Sequence, residues 1–273
     1  MPGNQQSSPS VAIVRLCRSR EATGALARGF ASILRPGDAV ALSGEMGAGK
    51  TTFVRGLATA LGVPPGMVSS PTFVLLNVYQ GLHAGRSLRL AHVDAYRLHS
   101  PAELDNMGWD RVFDDRLARA RDDAIVLVEW PERLGGVLQH PGVAWVRFEH
   151  ADAEDTPSTR LASMTDAPEE ATEEATEEAT PEEDAPEDAQ GARRMTFELP
   201  AAWSSRDNLD LFISREPARC PITDRWVAPT HATYPFADDR ARLADLGKWL
   251  SGQYSTSRPV QGDEFEGGAN ERS

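Results

Sequence analysis

The sequence predicts an α/β fold, a sheet flanked by helices, and three observations predict it. Apolar runs of strand length stand at residues 39–43 and 124–128. Stretches of helical period alternate with them, at 19–34 and 50–61. Between the strand at 39–43 and the helix at 50–61 lies Gly44-Glu45-Met46-Gly47-Ala48-Gly49-Lys50-Thr51, which fits G-x-x-x-x-G-K-[ST] at every specified position. A glycine-rich loop between a strand and a helix makes residues 11–150 a P-loop NTPase-like core.

The elements follow in order. Residues 1–10 are polar and predicted disordered, and 11–16 form a short strand. In the helix at 19–34, Leu26, Ala27, Phe30 and Leu34 recur on one face and Ser19 caps the start. Pro36-Gly37-Asp38 is a turn into the strand at 39–43, and Gly62 ends the helix at 50–61. Strands are expected at 74–79 and 88–93, and helix at 101–107 and over part of 109–121. The run at 124–128 is apolar throughout and bounded by charges, which marks a strand buried on both faces. A last strand of this block is expected at 143–148.

The composition then changes. Between 151 and 190 there are fifteen Asp or Glu and one basic residue, Arg160, and Glu-Glu-Ala-Thr repeats across 169–180. Such a segment has too little apolar surface to offset its ordering entropy, so 151–192 is expected to be a disordered acidic insertion. Residues 193–199 alternate like a strand and return the chain to the core, which makes the acidic segment an enlarged loop between two strands of one sheet. The extension at 201–273 carries Trp203, Trp226 and Trp249. It is expected to be part helix and part disorder. Residues 238–250 form an amphipathic helix with Leu243, Leu246 and Leu250 on one face, which either packs on the core or docks a partner.

Charge and cysteine usage narrow the classes. The acidic segment carries a charge of 1 − 15 = −14, so of the net −13 the rest of the chain holds about +1. The overall charge therefore neither supports nor excludes a nucleic-acid partner. Cys17 and Cys220 are far apart and lie in no C-x-x-C pattern, which argues against a disulfide framework or a zinc site. No apolar run reaches the roughly 18 residues of a membrane span, and the N-terminus has no signal-peptide core. A soluble, cytoplasmic protein is expected. Lysine occurs at positions 50 and 248 alone, against 26 arginines, which sets Lys50 apart from background composition.

The loop dictates the first chemistry. Its glycines let the backbone curl so that N–H groups meet phosphate oxygens, and the following helix turns its positive end to the same anion. Lys50 reaches the outer phosphates, and Thr51 offers a hydroxyl to magnesium. Gly47, Ala48, Gly49, Lys50, Thr51 and Thr52 are the candidate nucleotide-binding set. Hydrolysis needs carboxylates as well. Asp94 ends one predicted strand and Glu129 another, at the strand ends where ligands sit in open α/β sheets. One of the two holds the metal and the other orients the attacking water, and spacing alone does not assign them. Thr72, in Ser70-Pro71-Thr72-Phe73, is either a phosphate-sensing switch residue or part of an ordinary turn. His92 is either polar lining or a core histidine with a partner, and Trp130 either covers the site or packs.

These motifs together resemble one family. Gly47 to Phe53 with Arg55-Gly56, Ser70-Pro71-Thr72-Phe73, His92-Val93-Asp94-Ala95-Tyr96-Arg97-Leu98 and Glu129-Trp130-Pro131-Glu132 occur in the order found in TsaE, a bacterial ATPase of tRNA threonylcarbamoyladenosine biosynthesis. The resemblance covers about residues 11–150 and extends to the returning strand at 193–199. It implies ATP and Mg2+ as cofactors and slow, partner-dependent hydrolysis. It also implies work with the TsaB–TsaD pair, which modifies adenosine 37 of tRNA, so that tRNA is met indirectly. Carried over residue by residue, it places Lys50, Asp94 and Glu129 in catalysis, Thr51, Glu129 and Asp94 at the metal, Thr72 in a switch-like segment and Thr23 near the nucleotide. The insertion and the extension are extra to the family pattern. Two other readings of the loop are a small-molecule kinase, which would need an acceptor pocket and an arginine-rich lid, and a module that binds ATP without significant turnover.

Overall fold

A computed structural model describes residues 11–68, 76–83, 85–98, 103–106, 108–115, 119–151 and 191–251. The expected disordered N-terminus (1–10), nearly all of the acidic insertion, Thr72 and the end of the chain lie outside the described residues. In chain order the elements are β1 (Val11–Cys17), α1 (Arg20–Ala31), β2 (Ala39–Gly44), α2 (Lys50–Ala60), β3 (Leu76–His83), β4 (Arg86–Asp94), α3 (Glu103–Asn106), β5 (Phe113–Asp114), β6 (Arg119–Ala120), β7 (Ala124–Glu129), β8 (Ala144–His150), β9 (Arg193–Leu199), α4 (Leu209–Ser214), β10 (Ala218–Arg219), β11 (Trp226–Val227) and α5 (Asp239–Leu250). Seven strands form one sheet in the order β1-β9-β8-β2-β7-β4-β3. Its centre, β8-β2-β7-β4, is parallel, and β9, β1 and β3 complete it antiparallel.

β7 lies between β2 and β4 and every one of its residues is buried. That explains an uninterrupted apolar run where a half-exposed strand would alternate. One face of the sheet packs against α1 and α2 through Phe30, Phe53, Leu57, Leu90, Leu127 and Phe197. The other face packs through Val93, Trp109, Phe113, Val126, Val128 and Leu134. At the start of α1 the Ser19 side chain accepts from the Ala22 amide at 3.1 Å, satisfying an amide the helix leaves over. α2 stops at Gly62, whose φ of 80° is the left-handed conformation that ends a helix.

One expectation is corrected and one choice between alternatives is narrowed. Among the described residues of 109–121 the helical part is a single 3-10 turn at Trp109–Arg111, and Phe113–Asp114 pairs with Arg119–Ala120 as the antiparallel ribbon β5–β6. Trp109 stacks on Phe113 at 4.6 Å and its indole N–H donates to Asp115, so side-chain packing overrides the local helical pattern. In α5, capped by Asp238, Leu243, Leu246 and Leu250 are 62%, 53% and 79% exposed. Among the described residues their stripe does not pack on the core.

The start of the extension is built into the fold. Trp203, Leu209 and Phe212 join the α1 side of the core, where Phe212 lies 5.7 Å from Phe30 and 5.2 Å from Phe197. The buried Arg15 guanidinium on β1 donates to the carbonyls of Phe212 and Ile213 at 2.7 and 2.6 Å. Arg206 closes a two-pronged ion pair on Asp38, in the turn before β2.

Candidate nucleotide and metal site

Parallel pairing brings the site together. β2 delivers the loop, and its Leu42 lies opposite Glu129 of β7, which lies opposite Asp94 of β4. The loop and the two carboxylates therefore sit at the same edge of the sheet, at the C-terminal ends of three adjacent strands.

The loop takes the backbone conformation its glycines permit. Gly44, Gly47 and Gly49 have φ of 138°, 75° and 98°. At Gly44 a Cβ would lie 2.4 Å from the Phe148 carbonyl oxygen, so the loop can pass β8 only with glycine there. Ala48 is buried, and Gly49 leads into α2 at Lys50, with Thr51 and Thr52 in its first turn. The Lys50 ammonium donates to the carbonyls of Gly44 and Glu45 at 2.6 and 2.7 Å and lies 3.9 Å from the Trp130 ring centroid. Burial lowers its pKa, opposed by the charges of Glu129, Glu132, Asp94 and Glu45.

Glu129 is 3% exposed. The Thr51 hydroxyl lies 3.2 Å from both of its carboxylate oxygens, and the His92 Nε2 lies 2.8 Å from Oε1. Asp94, one strand over, accepts the Tyr96 amide at 3.0 Å. Burial raises the Asp94 pKa and the Glu129 charge adds to that, against the lowering effect of the Tyr96 bond. The residue after Glu129 is held unusually: Trp130 has φ 59°, a conformation that costs a non-glycine residue on the order of 1–3 kcal/mol. The amide of Trp130 donates to the Leu42 carbonyl and the amide of Ala95 to the carbonyl of Glu129, so the peptide that leads into the strained residue is tied on both sides. Its ring meets Tyr96 at 5.0 Å and covers Lys50.

Lys50, Thr51, Glu129 and Asp94 thus gather at one place. Thr23 is buried on α1, where its hydroxyl donates to the Ser19 carbonyl at 3.1 Å. One residue at the site was not expected. Arg193, which opens β9, is 1% exposed and packs on the loop: a Cβ on Gly49 would come 2.8 Å from its Nε. Burial lowers its pKa, and Arg20 lowers it further. The alternation of β9 carries the signal, because its inward positions 193, 195, 197 and 199 read Arg, Met, Phe, Leu. An arginine in the inward row of an otherwise apolar strand marks a buried cation.

A parallel-centred α/β sheet with this loop after its central strand defines a P-loop nucleotide-binding protein. The family model described as Threonylcarbamoyl adenosine biosynthesis protein TsaE matches residues 17–160. Three relatives share the description "tRNA threonylcarbamoyladenosine biosynthesis protein TsaE". That of Streptomyces coelicolor is 48% identical over 107 residues, which is 39% of this chain and 66% of that protein. That of Mycobacterium tuberculosis H37Rv is 38% identical over 137 residues, 47% of this chain and 72% of the relative. That of Bacillus subtilis is 37% identical over 131 residues, 45% and 74% respectively. The chain belongs to the TsaE family. Among the described residues no helix is long and apolar enough to cross a membrane.

Proposed function

We propose that the chain is a magnesium-dependent ATPase of the cytoplasm. It supports a TsaB–TsaD pair in placing a threonylcarbamoyl group on adenosine 37 of tRNA. Family membership supports the pathway, and one observation carries the enzymatic reading: Thr51, beside Lys50, has its hydroxyl 3.2 Å from both oxygens of Glu129. A hydroxyl and a carboxylate are hard oxygen donors of the kind magnesium takes together with phosphate oxygens. Thr51 and Glu129 would hold the ion, which when bound neutralises charge on the outer phosphates. The backbone of residues 47–52 cradles the phosphates, Lys50 supplies a point charge, and Arg193 places a second cation behind Gly49. Asp94 takes the remaining role. It lies opposite Glu129, and burial makes its carboxylate a better proton acceptor, which suits orienting and deprotonating the attacking water. Trp130, against which Tyr96 packs, lies over Lys50 and limits the access of bulk water to it.

An ATPase assay of the purified protein, alone and with a TsaB–TsaD pair, tests this. Hydrolysis that rises with the pair and is lost in Lys50→Ala is the expected result. Efficient phosphate transfer to a small acceptor, indifferent to the pair, would refute it.

A further inference from the structure

On β4 the residues that face α1 and α2 run Leu88, Leu90, His92 and Asp94, and the matching column on β7 runs Ile125, Leu127 and Glu129. The apolar column thus gives way to polar residues one step before the strand ends. His92 is fully buried, so its polar ring costs stability at that depth unless it is hydrogen-bonded. The bond it makes runs to Glu129, at 2.8 Å between Nε2 and Oε1.

From this geometry we infer that His92 is a positioning residue, which fixes the Glu129 carboxylate so that Oε2 is the oxygen presented to the metal beside Thr51. The inference rests on the ATPase reading of the site and goes a step deeper. His92 Nδ1 is buried with no hydrogen-bond partner among the described residues. A carboxylate oxygen only accepts, so a neutral ring facing it carries its proton on Nε2 and donates to Oε1. Thr51 has a single proton, and its oxygen lies equally far from Oε1 and Oε2. By itself it therefore does not distinguish the two oxygens. The imidazole breaks that symmetry. With Oε1 held from below, the lone pairs of Oε2 remain for the ion or its water. This is the arrangement by which a partner behind a metal ligand sets its orientation. The backbone supports it, since His92 and Glu129 sit on adjacent hydrogen-bonded strands whose register fixes their separation.

A histidine that only fills the core would behave differently from one that aims Glu129, and metal binding separates the two. Mn2+ binding to the full-length protein with a non-hydrolysable ATP analogue is read by electron paramagnetic resonance for wild type, His92→Leu, His92→Gln and Lys50→Ala. Nucleotide affinity in EDTA is measured alongside. His92→Leu should weaken Mn2+ about 10-fold or more, the loss typical for removing a ligand's supporting hydrogen bond. His92→Gln, whose amide nitrogen reaches the place of Nε2, should return it to within about 3-fold of wild type by the same reasoning. Nucleotide affinity in EDTA should not change in either variant. Wild-type Mn2+ affinity in His92→Leu, or equal loss in the Leu and Gln variants, overturns the inference. Should the Leu variant fail to fold, His92→Asn replaces it. Its shorter amide cannot reach Oε1, so Asn weak with Gln restored supports the role, and Asn equal to Gln overturns it. Wild type that takes up no Mn2+ with the nucleotide, or Lys50→Ala that binds nucleotide normally, refutes instead the reading of the whole site.

Discussion

Arg206→Ala tests whether the extension is part of the folding unit. The guanidinium grips Asp38 at 2.5 and 2.7 Å, and the two side chains are only 10% and 9% exposed. It also donates to the Ile33 carbonyl at 2.9 Å and lies 3.8 Å from the Trp203 ring centroid. Truncation leaves Asp38 buried without its counter-charge, and breaking a buried pair on one side costs about 3–5 kcal/mol. Asp38 keeps one partner, the Arg35 amide at 2.7 Å, which puts the loss at the lower end, about 3 kcal/mol. For a folded unit of this size that is a fall in Tm of roughly 6–12 °C. Urea and thermal denaturation followed by circular dichroism measure it. A single cooperative transition, shifted by that amount, is expected, with ATP affinity near wild type at temperatures where the variant is folded. Replacing the pair with apolar residues, Asp38→Leu with Arg206→Met, should recover most of the stability, because both desolvation penalties go together. A loss below about 1 kcal/mol would refute the reasoning, since that is what a solvent-exposed pair contributes. Two separate transitions would refute the integration of the extension with the core.

Three further outcomes are expected. Gly44→Ala should abolish nucleotide binding and lower Tm, because the added Cβ meets the Phe148 carbonyl at a backbone φ of 138°; normal ATP affinity in isothermal titration would contradict the loop geometry. Asp94→Asn should stabilise the nucleotide-free protein at neutral pH. Burial raises the pKa of this acid, so the penalty for its charge is present above the folded pKa and relieved as pH falls through it towards the unfolded value. The gap between variant and wild type in urea midpoints should therefore close on acidification, and a gap that widens would show the opposite sign. Burial pushes the Cys17 thiol up to about 12, so a disulfide reagent should count at most one reactive thiol in the native protein and two in guanidinium. A second fast thiol in the native protein would mean β1 is not packed as described.

Much of the site could be read from residues 39–51, because a loop that must place its amides around phosphate has few sequences open to it. The glycines are required by positive φ, and the phosphate-loop motif specifies the lysine and the hydroxyl beside them. β7 was legible for a similar reason, as a strand covered on both faces shows it by apolarity alone. Resemblance of the linked motifs pointed to the family, which the match over residues 17–160 bears out. The sequence alone could not rank Asp94 against Glu129, since both are acids at strand ends. Strand order and register decided that Thr51 meets Glu129 and that His92 stands behind it. The pairing of 113–114 with 119–120 escaped local reading because packing of Trp109 on Phe113 favours it. Arg193 reaches Gly49 only because β9 returns beside β8, some forty residues further along the chain. Composition and local pattern are carried by neighbours in sequence, whereas a site is made by strands that meet in register, and only the folded sheet determines which strands those are.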